Sequence, residues 1–484
     1  MDKNYNNNNI NNGYYQSSYP LNNETYKEST NSNLDNYTFF YPQLELKPVD
    51  KGYHKFPRQP KYRDLIWLIV FVMHLLALVA LFVISSLKNN GNILSSQENS
   101  NADSGQTNLL PQNQYNVYYM LGLAVGVSML FAFTWLLLIK YFTKPLIYLT
   151  LVISILMLLS VAVVNFIYGY YFLAIMSAIF TFITAIAIWS WRNRINFAVL
   201  ILQTIIPILN EYWGTFIVSF IGLTIQLIWT GFWSYTLIIS QDFNKDINYL
   251  SFILMLLSYF WTTQVIKNWV HVTIAGSVST HYFMVDQAPT NPTYYSMKRA
   301  SSTSLGSICL GSLFVSIIQT LRQLTYLGQD NRGGNILLLC ARCILNVLEG
   351  ILEYFNIYAF VQVAVYGKSY IQSAKDTWEL IKSHGIEAVI NDSLISGILN
   401  CGILIGGVVV GLIIGFISHH FVPVYYIQIT IVSVLIAITT IYIMMELIQS
   451  SVVTLFVCFV MEPEVLSRNS PDLYQKLTVS YHTW

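Results

Sequence analysis

The apolar run from Ile336 to Val365 places the strongest constraint on this chain, because it is long enough to cross a lipid bilayer. Two glutamates, Glu349 and Glu353, lie inside this run, one helical turn apart and therefore on one face of a helix. An ionised group at that depth is costly, and such groups normally face a bundle interior or a watery cavity. The run therefore predicts a membrane helix with one polar face.

The segment after this run predicts a helix on the membrane surface. The chain breaks at Gly367 and continues as an amphipathic stretch over about residues 367–390. Its apolar face comprises Ile371, Ala374, Trp378 and Ile381, and its polar face comprises Lys368, Gln372, Lys375, Glu379 and Lys382. A helix of this kind is expected to lie along a bilayer interface.

Composition places the whole chain in the membrane class. Of the 484 residues, 54% are hydrophobic and only 10% are charged, and the mean hydropathy is +0.50. Soluble domains carry about a quarter charged residues. The net charge of +1 argues against nucleic acid as a partner, since binding to phosphates needs a basic surface. We expect an all-α, polytopic integral membrane protein whose immediate partner is the lipid bilayer.

The apolar runs divide into about ten transmembrane helices. The predicted spans are 65–87, 117–139, 146–168, 171–191, a fifth within 197–240, and then 247–270, 302–322, 336–365, 394–418 and 425–460. The fifth is interrupted between Pro207 and Gly214, which is consistent with a broken helix lining a site, an entry segment before the span, or an interfacial elbow. The last run is long for one span, so we expect tilt or a bend near Glu446.

The distribution of basic residues predicts the orientation. Five of them precede the first span, namely Lys51, Lys55, Arg58, Lys61 and Arg63, and only Lys88 follows it closely. By the positive-inside rule both termini are expected in the cytosol. We interpret residues 1–62 as a disordered, Asn-rich cytosolic tail, 63–462 as the membrane domain and 463–484 as a cytosolic C-terminal tail.

A stripe of glycines predicts close helix packing in the ninth span. It comprises Gly402, Gly406, Gly407, Gly411 and Gly415. Small residues at four-residue spacing allow the backbone of a neighbouring helix to approach closely.

Several motifs resemble the choline transporter-like family. They are the segments 354–359 (YFNIYA), Gln362, 366–368 (YGK), 373–376 (SAKD), Arg299-Ala300, 305–313 (LGSICLGSL), 321–323 (LRQ), Asn268, 271–276 (HVTIAG) and 462–465 (EPEV). The resemblance extends in order from about Lys140 to Leu477. It implies a ten-helix membrane carrier with both termini in the cytosol and choline as the named substrate.

The chemistry of a choline-like substrate indicates which residues could bind it. Its quaternary ammonium is held in proteins by aromatic faces, sometimes with a carboxylate nearby. The candidate substrate-binding residues are Trp229, Trp233, Glu349, Tyr354, Tyr358 and Glu446. Interfacial anchoring is the alternative for the aromatic residues. Proton transfer, or an ion pair with Arg322 or Arg342, is the alternative for the glutamates.

The sequence thus predicts a plasma-membrane, multi-pass transporter of choline or a related organic cation, which works by alternating access between its helices. A non-transporting scaffold or receptor and a lipid head-group enzyme are the alternatives. We find no nucleophile or metal-ligand set, so no catalytic residue, metal or cofactor is expected. The pair Cys340 and Cys343, and the pair Asn268 and His271, are interpreted as structural. The oligomeric state, the coupling ion and the true substrate stay open.

Overall fold

The computed structural model describes residues 61–100, 113–191, 195–240, 245–284, 288–327, 336–423 and 426–482, and its regular elements within these ranges are all α-helices. In chain order they are α1 Leu65–Ser100, α2 Asn113–Ile167, α3 Tyr171–Trp191, α4 Ile195–Glu211, α5 Gly214–Ile239, α6 Lys245–Phe283, α7 Pro292–Ser301, α8 Leu305–Leu327, α9 Ile336–Tyr366, α10 Tyr370–Phe421, α11 Tyr426–Met461, α12 Pro463–Asn469 and α13 Pro471–His482. The predicted tail, as far as residue 60, lies outside the described residues.

Eight helices in the described ranges are long and apolar enough to cross a membrane, which confirms the predicted all-α, polytopic class. The difference from about ten predicted spans has two sources. One of the eight, Tyr119–Ile167, has 49 residues, whereas a bilayer needs about 20, and its backbone leaves helical geometry at Phe142 just before Pro145. In addition, α6, which has 39 residues and covers the predicted span 247–270, is not one of the eight.

The predicted interruption of the fifth span is present as a change of helix. Pro207 lies inside α4, which ends at Glu211, and α5 starts at Gly214. A side chain at Gly214 would come within 3.0 Å of Thr293, so the first turn of α5 packs closely against α7. With 17 residues, α4 is a short apolar helix that buries one face.

The break predicted at Gly367 is also present. Gly367 has a φ of 61°, a left-handed conformation that glycine adopts without strain and that commonly ends a helix. The following helix α10 contains both the amphipathic segment and a span, with non-helical geometry at His384 between them. Its protein-facing side is Tyr370, Ser373, Thr377 and Leu380, whereas Ile371 and Trp378 of the predicted apolar face are more than half exposed.

The glycine stripe of α10 packs against two neighbouring helices, as the sequence predicted. We call Gly402, Gly406, Gly407, Gly411 and Gly415 the glycine seam. A side chain at Gly406 would overlap Ile441 of α11 and Phe131 of α2, and one at Gly411 would overlap Val434 of α11. The seam therefore requires glycine for the close approach of these helices.

The C-terminal segment forms two short helices that are attached to the bundle. Tyr282 donates its hydroxyl hydrogen to the carbonyl of Glu462 at 2.9 Å, and the Asn469 amide donates to the carbonyl of Tyr282 at 2.9 Å. Leu466 of α12 and Leu477 of α13 are buried. These contacts fix α12 and α13 beside the end of α6.

Candidate functional site

One face of α6 carries a row of polar side chains through the middle of the bundle. Gln264, Lys267, Asn268 and His271 follow one another at intervals of three, one and three residues, which places them along one side of the helix. The Asn268 amide donates a hydrogen bond to the hydroxyl of Ser312 on α8, at 2.9 Å. Because buried polar groups need partners, this row determines which faces of the other helices can pack against α6.

Glu349 and Glu353 of α9 share one amide donor. Gln319 of α8 donates from Nε2 to Oε1 of Glu349 at 3.1 Å and to Oε1 of Glu353 at 3.3 Å. Glu353 also accepts from Gln264 at 3.1 Å, and Glu349 forms an ion pair with Arg322, with Nε and Oε2 3.0 Å apart. An ion pair with Arg322 was one of the alternatives that the sequence left open for Glu349.

Glu446 of α11 faces a histidine that connects three helices. Nδ1 of His271 lies 2.6 Å from the Ser450 hydroxyl oxygen and 3.5 Å from Oε1 of Glu446, and its Nε2 lies 3.0 Å from the carbonyl oxygen of Ile357. The Ser450 hydroxyl also donates to Glu446 at 3.3 Å. His271 is 1% exposed, so its ring is held on both sides inside the protein.

Lys267 brings a positive charge between two of these carboxylates. Its ammonium lies 5.3 Å from the centroid of the Tyr442 ring. One turn before it on α6, Gln264 donates to Glu353 at 3.1 Å, and one turn after it, Nδ1 of His271 lies 3.5 Å from Glu446. Tyr442 is 38% exposed and Glu446 is 6% exposed, so this group of residues is buried at Glu446 and reaches the bundle surface at Tyr442. We call Gln264, Lys267, His271, Gln319, Glu349, Glu353, Tyr442 and Glu446 the polar centre.

Tyr354 and Tyr358 lie one turn apart beside the polar centre. Their ring centroids are 5.1 Å apart. The Tyr358 hydroxyl donates to Oδ2 of Asp392, at 2.6 Å, and both residues are buried. Since Ile357 accepts from His271, this pair continues the polar contacts from α11 and α6 across α9 to α10.

A second polar chain runs from α9 towards the end of the bundle where α1 begins. Tyr370 donates its hydroxyl to Oδ1 of Asn356, whose amide donates to the carbonyl of Gly311 at 2.9 Å. Burial raises the pKa of Tyr370 to about 12, so the phenol stays protonated and able to donate at neutral pH. Oδ2 of Asp64 accepts from the Tyr370 backbone N–H at 2.8 Å and from Ser307 at 2.6 Å.

The two candidate tryptophans lie on α5 and contact α5 and α6. Trp233 donates from Nε1 to the carbonyl of Met255 at 2.8 Å, and its ring centroid is 4.7 Å from that of Tyr259. The ring of Trp229 is 6.1 Å from Phe232, and its buried N–H has no hydrogen-bond partner within the described part of the chain. The contacts of the other four candidates, Glu349, Tyr354, Tyr358 and Glu446, converge on α9 and its neighbours.

Two cavities lie at the α4–α5 junction, away from the polar centre. One has a volume of about 390 Å³ and is lined by Tyr212, Trp213 and Tyr294, among others. The other has a volume of about 270 Å³ and is lined by residues that include His281. Both include Glu211, and neither includes any of the six candidate substrate-binding residues.

Sequence reasoning missed Lys267, Gln264, Gln319 and Asp392. Lys267 could have been identified from the sequence because it is a charged residue inside a predicted span. Such residues are rare in a membrane unless they have a partner. The two glutamines carry no charge and gave no comparable signal. Asp392 directly precedes the predicted ninth span, where a carboxylate is unremarkable.

Of the charged residues described above, Arg322 and Glu349 form a direct ion pair, and His271 lies 3.5 Å from Glu446. Over the described ranges, no group of three or more His, Cys, Asp or Glu side chains is arranged to hold a metal ion. The polar centre suits a small cation: it combines carboxylates, an aromatic ring and amide groups within a protein interior.

Fold and site together define a polytopic helical membrane protein with charged side chains in its interior, as expected for a protein that handles a polar solute within the bilayer. The profile of a family described as plasma-membrane choline transporter matches residues 175–464. The chain belongs to this choline transporter family, and at the level of the family it is a membrane transporter.

Relatives align over most of the chain. A CTL-like protein of Dictyostelium discoideum is 30% identical over 449 residues, which cover 91% of this chain and 79% of the relative. Protein PNS1 of Gibberella zeae is 29% identical, with 87% and 83% of the two chains covered. Protein PNS1 of Neurospora crassa is 30% identical, with 88% and 81% covered.

Proposed function

We propose that this protein transports choline or a closely related organic cation and that the polar centre binds it. The observation that carries the proposal is the position of Lys267 on α6, one turn from Gln264, which donates to Glu353, and one turn from His271, which faces Glu446. Two negative charges beside one positive charge favour the entry of a second monovalent cation. Membership in the choline transporter family supports choline as the first substrate to test.

The chemistry of choline suits this group of side chains. Its trimethylammonium group cannot donate or accept a hydrogen bond, so it is held by aromatic faces and by charge. Tyr442 offers a ring next to Glu446, and Tyr354 and Tyr358 offer two more on α9. A desolvated contact between a cation and an aromatic ring contributes about 2 kcal/mol.

The carboxylates have different roles in this proposal. Glu349 is held by Arg322 and Gln319, so its charge is already matched, and we assign it to positioning Glu353 through the shared Gln319 amide. Glu353 and Glu446 supply the charge that attracts the substrate. Trp229 and Trp233, on α5, are proposed to line the approach to the centre.

Transport requires access from both membrane faces. We propose that the protein lies in the plasma membrane and that the bundle end bearing Asp64 and Tyr370 faces the cytosol. The basic residues Lys61, Arg63 and Lys298 lie in segments at that end, as the positive-inside rule requires. The chain from Asp64 through Tyr370 and Asn356 then closes the cytosolic side, while the centre reaches the bundle surface at Tyr442.

Uptake of labelled choline into proteoliposomes containing the purified protein tests the proposal. We expect saturable uptake by the wild type and a loss of at least about tenfold in Glu353→Gln, which keeps the shape and removes the charge; tenfold corresponds to about 1.4 kcal/mol. A matched control is Glu211→Gln, since Glu211 lies outside the polar centre.

The same experiment separates the rival classes. A scaffold gives no uptake above empty liposomes, and a head-group enzyme converts choline-containing lipid or choline to a product that chromatography detects. Wild-type protein that is folded and inserted but transports no choline or related organic cation would contradict the proposal.

A further inference from the structure

Lys267 occupies the surroundings that an ammonium substrate would need. Its Nζ lies 5.3 Å from the centroid of the Tyr442 ring, and Glu353 and Glu446 contact the α6 side chains one turn before it and one turn after it. An aromatic ring combined with carboxylates is the usual environment for an organic ammonium ion in a protein. The lysine side chain is therefore a cation attached to the protein at the place where a free cation would bind.

The surroundings of Lys267 differ from those of Arg322, which pairs with Glu349 of the polar centre. Arg322 is held by a direct ion pair with Glu349 and donates to Asn346 at 3.0 Å, and its planar guanidinium fixes this geometry. Lys267 has a flexible four-carbon stem and a compact ammonium, and it is only half-buried. Its ammonium can therefore move between Glu353 and Glu446 without breaking a bidentate hydrogen bond.

The mobility of Lys267 affects the balance of charge in the site, with and without a bound cation. When a monovalent cation is bound, it and the Lys267 ammonium together match the two carboxylates. When it leaves, the Lys267 ammonium remains near both of them, and His271 stays beside Glu446. Without Lys267, an empty site would expose two unmatched carboxylates to a medium of low dielectric constant, where unpaired charges are strongly unfavourable.

We infer that Lys267 is a tethered cation that stands in for the transported cation when the site is empty, so that the empty carrier can change its orientation across the membrane. This inference rests on the proposed transport function. In the loaded carrier, Lys267 is matched by one carboxylate and the substrate by the other. The inference predicts net transport by the wild type and a specific defect when the tethered charge is removed.

The test compares net uptake with exchange. Proteoliposomes are prepared with or without unlabelled choline inside, and the entry of labelled choline is measured. We expect Lys267→Met to retain exchange into preloaded liposomes while net entry into choline-free liposomes falls, so that the ratio of exchange to net uptake rises at least tenfold. Lys267→Arg keeps the charge and should keep the ratio within about threefold of the wild type. Equal reduction of both rates by Lys267→Met would overturn the inference.

A second measurement covers the case in which the lysine variants transport nothing. We expect millimolar n-propylammonium, a free analogue of the lysine head group, to raise the melting temperature of purified Lys267→Ala by several degrees more than that of the wild type. Sodium at the same ionic strength is the control. No selective stabilisation would overturn the inference. If the wild type shows neither choline uptake nor exchange while propylammonium still stabilises the alanine variant, the proposed substrate fails and the tethered-cation site stands.

Discussion

The polar centre and the glycine seam both lie between helices of the bundle, but they hold these helices together by different means. The helix α11 takes part in both: Val434 and Ile441 contact the seam, whereas Tyr442 and Glu446 belong to the centre. The seam depends on the steric fit of side chains of α2 and α11 against the glycines of α10, and such a fit has little freedom to rearrange. The centre depends on charges and hydrogen bonds that can exchange partners. We infer that the seam is the fixed part of the carrier and the centre the part that changes during transport.

The largest effect is expected from enlarging a residue of the seam. Leucine at Gly406 would overlap Ile441 and Phe131, and overpacking typically costs about 1–3 kcal/mol. We expect Gly406→Leu to lower the yield of monodisperse, folded protein in size-exclusion chromatography. Gly126→Leu is the matched control, since nothing lies within 4 Å of an added side chain at Gly126. Equal yields for the two variants would show that the seam is not close-packed.

A smaller loss of stability is expected from replacing His271, the residue of the polar centre whose contacts connect three helices. His271→Ala leaves the Ile357 carbonyl without its side-chain partner, whereas the Ser450 hydroxyl still donates to Glu446. One unsatisfied buried polar group costs about 1–3 kcal/mol. We expect a lower melting temperature with the helical circular dichroism of the wild type. His74→Ala is the comparison, because His74 is only partly buried and contacts Ser258 and Phe71. A greater loss at His74 would contradict the importance of the three-helix contact.

The smallest effect is expected at the edge of the centre. Tyr358→Phe removes one buried hydrogen bond, to Asp392, and keeps the ring, so the expected loss is about 0.5–1.5 kcal/mol. Tyr235→Phe, at an exposed position, should change the melting temperature by less than one degree. An equal change in both would show that the Tyr358–Asp392 contact adds nothing to stability.

Much of the fold could be predicted because long apolar runs have few stable solutions in a bilayer. The break at Gly367 and the close packing of Gly406 followed from single residues whose properties are specific. The full extent of α6 could not be predicted in the same way. Its last part, after Val270, carries Ser and Thr residues that are buried against other helices, and buried helices need not be apolar.

The candidate site was predictable only in part. Glu349 and Glu446 were identified because a carboxylate within an apolar run requires a partner, but the partner itself depends on how the helices pack. The sequence allowed Arg322 or Arg342 for Glu349, and only the three-dimensional arrangement shows Arg322 at 3.0 Å. The contact of Lys267 with Tyr442 joins residues far apart in the chain, and no local pattern indicates it.

Choline binding to a variant of Glu446 tests most directly whether the polar centre is the cation site. The measurement is the rise in melting temperature of the purified protein with increasing choline, which gives an apparent Kd because a ligand of the native state stabilises it. We expect Glu446→Gln to raise the Kd at least about tenfold, or about 1.4 kcal/mol, and Gly126→Leu to leave it unchanged. An unchanged choline Kd in folded Glu446→Gln would contradict the account.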